Sequence, residues 1–146
     1  MTRDRRDELG PIPDEVARYL IPSAQAGYAA RTAANVYMCT ALLVVVPDAE
    51  DPRATPGTAK TIDMAHDRRL PRQVADPATH PEAIARWIWN DLVKPEPLSL
   101  FGPTPSDPRS VRLMVAGPRE SKWPGARAAT AGLLRQVAQA IGVLKR

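Results

Sequence analysis

Hydrophobic and polar positions are distributed very unevenly along this chain. Between Tyr19 and Pro47 the only formal charge is Arg31, and the stretch Thr32 to Val46 carries none. Its first part is rich in alanine. Ser23 stands where a hydroxyl can accept the first unbonded N–H groups of a helix, so Ala24 to about Val36 is predicted helical. Ala26, Ala30, Ala33 and Ala34 would give that helix a small face, open to close approach by another element. From Tyr37 or Cys39 onward the β-branched residues accumulate and end in Val44-Val45-Val46, which predicts a buried strand. One continuous helix from Ser23 to Val46 is the competing reading, and the change in composition favours helix followed by strand. Pro47-Asp48-Ala49-Glu50-Asp51 then breaks the run and sets three carboxylates at its rim.

Weaker patterns fill in the rest. Pro13, with Asp14 and Glu15 in a first turn, predicts a short helix through Val16, Tyr19 and Leu20 that stops near Pro22. Thr58 to Met64 alternates and suggests a strand, whereas Arg68 to Asp76 is ambiguous. Thr79-His80-Pro81-Glu82 has the form of a capping box. Behind it, Ile84, Trp87, Ile88 and Leu92 share one face of a helix ended by Pro95. Leu98–Phe101 and Val111–Ala116 read as strands around a Pro/Ser/Asp loop, Gly102 to Ser110. The last helix runs from about Gly125 to Leu144 along the seam Ala126, Thr130, Leu134, Val137, Ile141 and Leu144.

These elements predict an α/β domain, with mixed α+β as the neighbouring class. A central sheet of three or four strands has helices at both ends and one between strands. Residues 1–10, which alternate in charge, are expected to be a flexible arm, and 11–146 a single globular domain. At 146 residues the chain can bury a core without cross-links. The one cysteine, Cys39, lies in the apolar run and reads as a small buried hydrophobe. No signal-peptide pattern is visible, and the uncharged run is short for a membrane span. A cytoplasmic protein without membrane partners is therefore expected. The abundance of proline (16 residues) and the excess of arginine over lysine point to a GC-rich bacterium or one of its phages. The net charge of +4 permits an acidic partner without demanding one.

Few residues suggest chemistry. Asp48, Glu50 and Asp51 follow a buried strand, and ligands of open α/β sheets collect at the carboxyl ends of strands. Carboxylates there suit a divalent cation held through oxygen. A second strand end, Val115-Ala116-Gly117-Pro118-Arg119-Glu120-Ser121, leads into the last helix. A strand, a glycine turn and a helix start can present N–H groups to an anion, and Arg119 would add a charge-assisted contact. This segment resembles the opening of Rossmann-like nucleotide-binding proteins that carry a strand-Gly-x-Arg turn. The resemblance implies phosphate binding, but here the unit stands at the C-terminal end and Pro118 removes one donor. His66, with Asp63 and Asp67, forms a D-x-x-H-D cluster able to pair a base with a carboxylate. His80 is explained by the helix start. No second His or Cys stands at ligand spacing, so no metal centre is expected.

Trp87 belongs to the apolar face of its helix, whereas Trp89 lies about 200° round it, beside Arg86. Trp89 and Arg86 are thus candidate anchors for a protein partner. Leu134 to Val143 resembles the first two helices of a bacterial helix-turn-helix, with Gly142 in the turn, but lacks the recognition helix. Nucleic-acid binding would need Arg68, Arg69, Arg72, Arg127 and Arg135 on one face. No G-x-S-x-G, Walker A or H-E-x-x-H is present. The sequence therefore favours a non-catalytic interaction or assembly protein, self-associating or binding a protein partner, and identifies no cofactor. The alternatives are a small enzyme or nucleotide-binding protein using loops 48–51 and 117–121, and non-sequence-specific nucleic-acid binding.

Overall fold

In the computed structural model, which describes residues 6–7, 10–11, 14, 27–93 and 111–144, the uncharged run divides where its composition changes. Arg6–Asp7 (β1) and Gly10–Pro11 (β2) form a two-residue antiparallel ladder ahead of it. Tyr28–Met38 is an α-helix (α1) and Ala41–Val45 a strand (β3). The helix opens at Gly27, whose φ of 105° lies in the region that glycine tolerates. The expected cap, Ser23, lies outside the described residues, as do the strand Leu98–Phe101, the loop Gly102 to Ser110 and, apart from Asp14, the Pro13 helix. At Cys39 the backbone becomes extended while its N–H still bonds Asn35 O at 3.1 Å, which rules out one continuous helix.

The remaining elements are α2 (Pro56–Asp67), β4 (Arg72–Ala75), α3 (Pro81–Trp87) with a π-helical turn at Ile88–Val93, β5 (Leu113–Ala116) and α4 (Ala126–Leu144). The sheet of β4, β3 and β5 is parallel, with β3 in the middle; Val44 pairs with Val74 on one side and Ala116 on the other. A central parallel strand is covered on both faces, so its sequence reads as continuous rather than alternating. Ala41 to Val46 are accordingly at most 2% exposed. The second half of the uncharged run is interior and offers no surface for self-association.

Alternation along β3 sorts the two half-cores. Ala41, Leu43 and Val45 face Ile84, Ala85, Ile88, Leu92 and Val93 from α3 and its π turn, and Val137 from α4. Leu42, Val44 and Val46 face Ile62 and Ala65 of α2. Helix α1 packs on α2.

Two expectations need correction, and one ambiguous stretch is resolved. The segment Thr58 to Met64 is helical, because Thr58, Thr61, Ile62 and Ala65 recur at i, i+3, i+4 and i+7 and form the buried face of α2. Two of these are threonines whose hydroxyls are satisfied locally: Thr61 donates to Gly57 O at 2.9 Å, and Thr58 shares a 2.8 Å bond with Thr55. The ambiguous stretch Arg68 to Asp76 contains β4, an edge strand in which only Ala75 is fully buried. The Thr79 capping box does not form. His80 occupies the N-cap of α3 with no side-chain bond, and Thr79 instead donates to Asp76 at 2.8 Å.

Candidate functional site

In the strand order β4-β3-β5, the chain passes from β3 to β4 on one side and returns to pair β5 on the other. Beyond β3 it leaves into α2, which covers the face of Leu42 and Val44; beyond β5 it leaves into α4, which covers the face of Leu43 and Val45. Adjacent parallel strands whose following helices depart to opposite faces leave a crevice between their carboxyl ends, the usual ligand position in open α/β sheets. The crevice lies between β3 and β5.

Its floor is made of backbone. Gly117, the first residue past β5, crosses directly beside the Val45 carbonyl, and a Cβ at Gly117 would overlap that oxygen and lie 3.2 Å from the carbonyl carbon. Glycine is needed here for lack of space. The strands that lead into loops 48–51 and 117–121 therefore lie one strand spacing apart at Val45 and Gly117, about 5 Å.

On the β3 side the acidic loop is a compact turn. The Asp48 carboxylate accepts the Glu50 N–H at 2.9 Å, and the Asp51 N–H bonds Asp48 O at 3.2 Å. Asp48, Glu50 and Asp51 are exposed at the rim. Ala49 donates to the Asp76 carboxylate at 3.3 Å, so the end of β4 braces this loop. The Thr79 hydroxyl, and then the N–H groups of Ala49, Ala78 and Thr79, hold the Asp76 carboxyl below the usual carboxylate range. Beyond the turn, Thr55 caps α2 by accepting the Thr58 N–H, with Pro56 in the first turn.

On the β5 side, Arg119 lies in an exposed loop whose carbonyl accepts the N–H groups of Lys122 and Trp123 at 2.8 and 3.0 Å. Glu120 reaches forward to cap α4, accepting Gly125 N–H at 2.5 Å and Arg127 N–H at 3.0 Å. Those two bonds, led by Arg127, push the Glu120 carboxyl down. Gly125 itself sits at φ 90°. Between this loop, β5 and the first turns of α4 lies an open cleft of about 370 Å³, lined by Val115, Gly117, Arg119, Glu120, Arg127 and Thr130 among others. One region thus holds two cationic side chains, a fixed carboxylate, a hydroxyl and an apolar wall.

The other candidates lie elsewhere. His66 and Asp63 do share a helix, but His66 sits in the last turn of α2, roughly 15 Å along the helix from its first residue and so at the amino end of the sheet. Its ring lies 3.5 Å from the Arg72 guanidinium. Asp63 is paired with Arg53 at 2.8 Å. Trp89 packs with Trp87 against the α3/α4 half-core and is half-buried, while Arg86 is exposed at the end of α3. Arg68, Arg69 and Arg72 gather at the amino end of the sheet, whereas Arg127 opens α4 at the carboxyl end, so the five arginines do not share a face. Among the described residues no group of three or more His, Cys, Asp or Glu is placed to hold a metal ion. No helix of the described residues is long and apolar enough to cross a membrane.

Thr55 and Asp76 shape the site without having been singled out as site residues, whereas Gly117 and Glu120 belong to the turn that the sequence already pointed to. The Asp76-Pro-Ala-Thr79 turn directly after a strand and the Thr55-Pro-Gly-Thr58 helix start were the available signals.

Residues 1–138 match the profile of the Circularly permutated YpsA SLOG family. No curated protein matches the chain. A crystal structure from Syntrophus aciditrophicus SB, provisionally described as a molybdenum carrier protein, aligns with a TM-score of 0.62 at 24% identity, covering 92% of this chain and 74% of that one. That likeness is one of fold.

Proposed function

The chain belongs to the Circularly permutated YpsA SLOG family, and from that premise we propose that it binds a small phosphate-bearing ligand, a nucleotide or a nucleotide-like cofactor, in the crevice between β3 and β5. The observation that carries this reading is the backbone contact of Gly117 with the Val45 carbonyl. It sets the strands that lead to loops 48–51 and 117–121 side by side at a switch point of the sheet, which supports a site shared by both loops. The family description adds a second support. A strand-Gly-x-Arg unit opens the chain in the Rossmann-like proteins it resembles, and in a circularly permutated relative such a unit belongs at the other end, where Val115 to Arg119 stand.

Arg119 and Arg127 supply charge for an oxyanion, and arginine suits phosphate through its planar fork of donors. The apolar wall of Val115 and Leu134 suits a ring. The fold neighbour's description makes molybdenum a reasonable second cargo, and this donor set would take it as the molybdate oxyanion. Guanidinium and N–H groups bind oxygen anions, and Cys39, the one thiol, is buried where α1 meets β3 at the opposite end of the sheet. Acidic side chains on the β3 rim would then contact hydroxyl or amino groups of the ligand.

The test is calorimetry and thermal shift with adenosine mono- and diphosphate, ribose 5-phosphate, inorganic phosphate and molybdate. A nucleotide is expected to bind more tightly than phosphate alone. Arg119→Ala should weaken it about 10- to 100-fold, the equivalent of one or two charge-assisted hydrogen bonds. Failure of every ligand to raise the melting temperature would overturn the reading.

A further inference from the structure

The amino end of the sheet carries a different chemistry. Helix α1 ends beside β3, and around that junction stand four arginines. Arg68 caps the end of α2, donates to the Val36 carbonyl, and lies over the Tyr37 ring with its guanidinium carbon 5.0 Å from the centroid. Arg69 follows it in a left-handed turn, φ 55°. Arg72 opens β4 opposite Leu42. Arg112 precedes β5 on the other side, where its backbone exchanges bonds with Thr40 at 2.8 and 2.9 Å. By strand spacing, the backbones of Arg72 and Arg112 flank β3 roughly 10–12 Å apart. Arg68 and Arg112 both lie near enough to Cys39 for their charge to oppose the rise that burial imposes on its thiol.

All four guanidinium groups belong to exposed residues. Among the described residues no carboxylate pairs with Arg69, Arg72 or Arg112; Arg53 and Asp63 pair with each other elsewhere. Against these four cations and His66, the acid in the segment 66–72 is Asp67. Beside them Tyr37 is 75% exposed and Met38 47% exposed, an unusual outlay of apolar surface at a helix end. An exposed ring with a guanidinium over it, set among arginines, forms a stacking platform within a positive surface.

We infer that this edge, Tyr37 with Arg68, Arg69, Arg72 and Arg112, binds single-stranded nucleic acid. A strand of unpaired nucleotides needs both elements, cations that follow its phosphates and an aromatic face for a base. A duplex hides its base faces in the stack and would leave the ring unused, whereas an unpaired strand engages both the ring and the cations. Cations along the phosphates and a stacking ring act on any base, so binding is expected to tolerate sequence. The surface lies at the opposite end of the sheet from the ligand crevice and stands independently of it.

The experiment is fluorescence anisotropy of a labelled oligo-dT of about 20 nucleotides, longer than the usual site of one small domain, titrated across a series of salt concentrations. Three phosphate contacts predict a log–log slope of about −2. Tyr37→Ala should weaken binding about 5- to 100-fold, the effect of one lost base stack. The triple variant Arg69→Ala, Arg72→Ala, Arg112→Ala should flatten the slope, and the corresponding triple lysine variant should restore it. Melting curves identify any variant that fails to fold, in which case the lysine set and Tyr37→Ala decide. A flat slope in the unaltered protein overturns the inference, as does undiminished binding by the triple alanine variant. If polyglutamate displaces the strand as well as unlabelled oligo-dT does, and Tyr37→Ala changes nothing, the surface is one for acidic proteins and the inference fails.

Discussion

Replacing glycine by alanine at two positions should move stability in opposite directions. At Gly117 a methyl group meets the Val45 carbonyl, overlapping its oxygen and standing 3.2 Å from its carbon. Ordinary contact between carbons lies at about 3.5–4.0 Å, so the exit of β5 must swing away from β3. Forced insertion of a methylene into a packed position costs about 1–3 kcal/mol. In a domain of this size that corresponds to a fall of about 2–12 °C in melting temperature. Gly132 lies inside α4, where a built Cβ finds nothing within 4 Å. There the same substitution removes the helix penalty of glycine, about 1 kcal/mol, and should raise the melting temperature by about 2–4 °C. Circular dichroism at a helix wavelength measures both. Hydrogen exchange should further show loss of protection at Leu113–Ala116 in Gly117→Ala alone. If Gly117→Ala leaves the melting temperature unchanged or raises it, Gly117 is not pressed against β3, and the account of the crevice floor is wrong.

The Glu120 carboxyl is held below its usual range by the N–H groups of Arg127 and Gly125, so its contribution to stability is full above the ordinary glutamate pKa and is lost as pH falls through the lower folded value. Glu120→Gln should therefore be less stable than the unaltered protein at neutral pH, and the difference should close in acid; a gap independent of pH in paired melting curves would refute the cap. Leu43→Ala empties a fully buried position of the central strand and should cost about 2–5 kcal/mol by urea unfolding. Cys39 is buried, bonds the Val36 carbonyl at 3.3 Å, and has its thiol pKa raised chiefly by burial. A thiol reagent should thus label it only at the rate of unfolding, and rapid labelling of the folded protein would contradict its placement.

The parts of the fold that were legible in the sequence are those where composition changes abruptly. The shift from alanine to valine near Cys39 announced α1 and β3, and the proline at 47 announced the rim, because a strand covered on both faces has to be apolar throughout. What was obscured turned on hydroxyls and edges. Thr58 and Thr61 count as polar in any periodicity, yet each returns its hydroxyl to a neighbouring group of the same turn and is buried. β4, as an edge strand, shows a single valine among Arg72, Gln73 and Ala75. Of the site, both loops were visible as strand ends, but the adjacency of the strands they follow is a pairing of β3 with β5 across about 70 residues, on which local pattern is silent. His66 was drawn to the site by its chemistry, and a helix of ordinary length carries it to the far end of the sheet.

That long pairing also governs when the crevice comes into being. β3 meets β4 after 30 residues, Leu42 against Arg72, whereas Thr40 meets Arg112 only across 72. Local pairings close first because shorter loops lose less chain entropy. On the ribosome, the α2 side of the domain can assemble while β5 and α4 are still unmade. The half of the crevice that carries Gly117, Arg119 and Glu120 then emerges well after β3, and a ligand that binds there favours the docked state of β5 and α4. A growing polypeptide that halts before Val111 lacks β5 and α4 and with them the lining of the cleft, so ligand capture would report that these two elements have been made and docked.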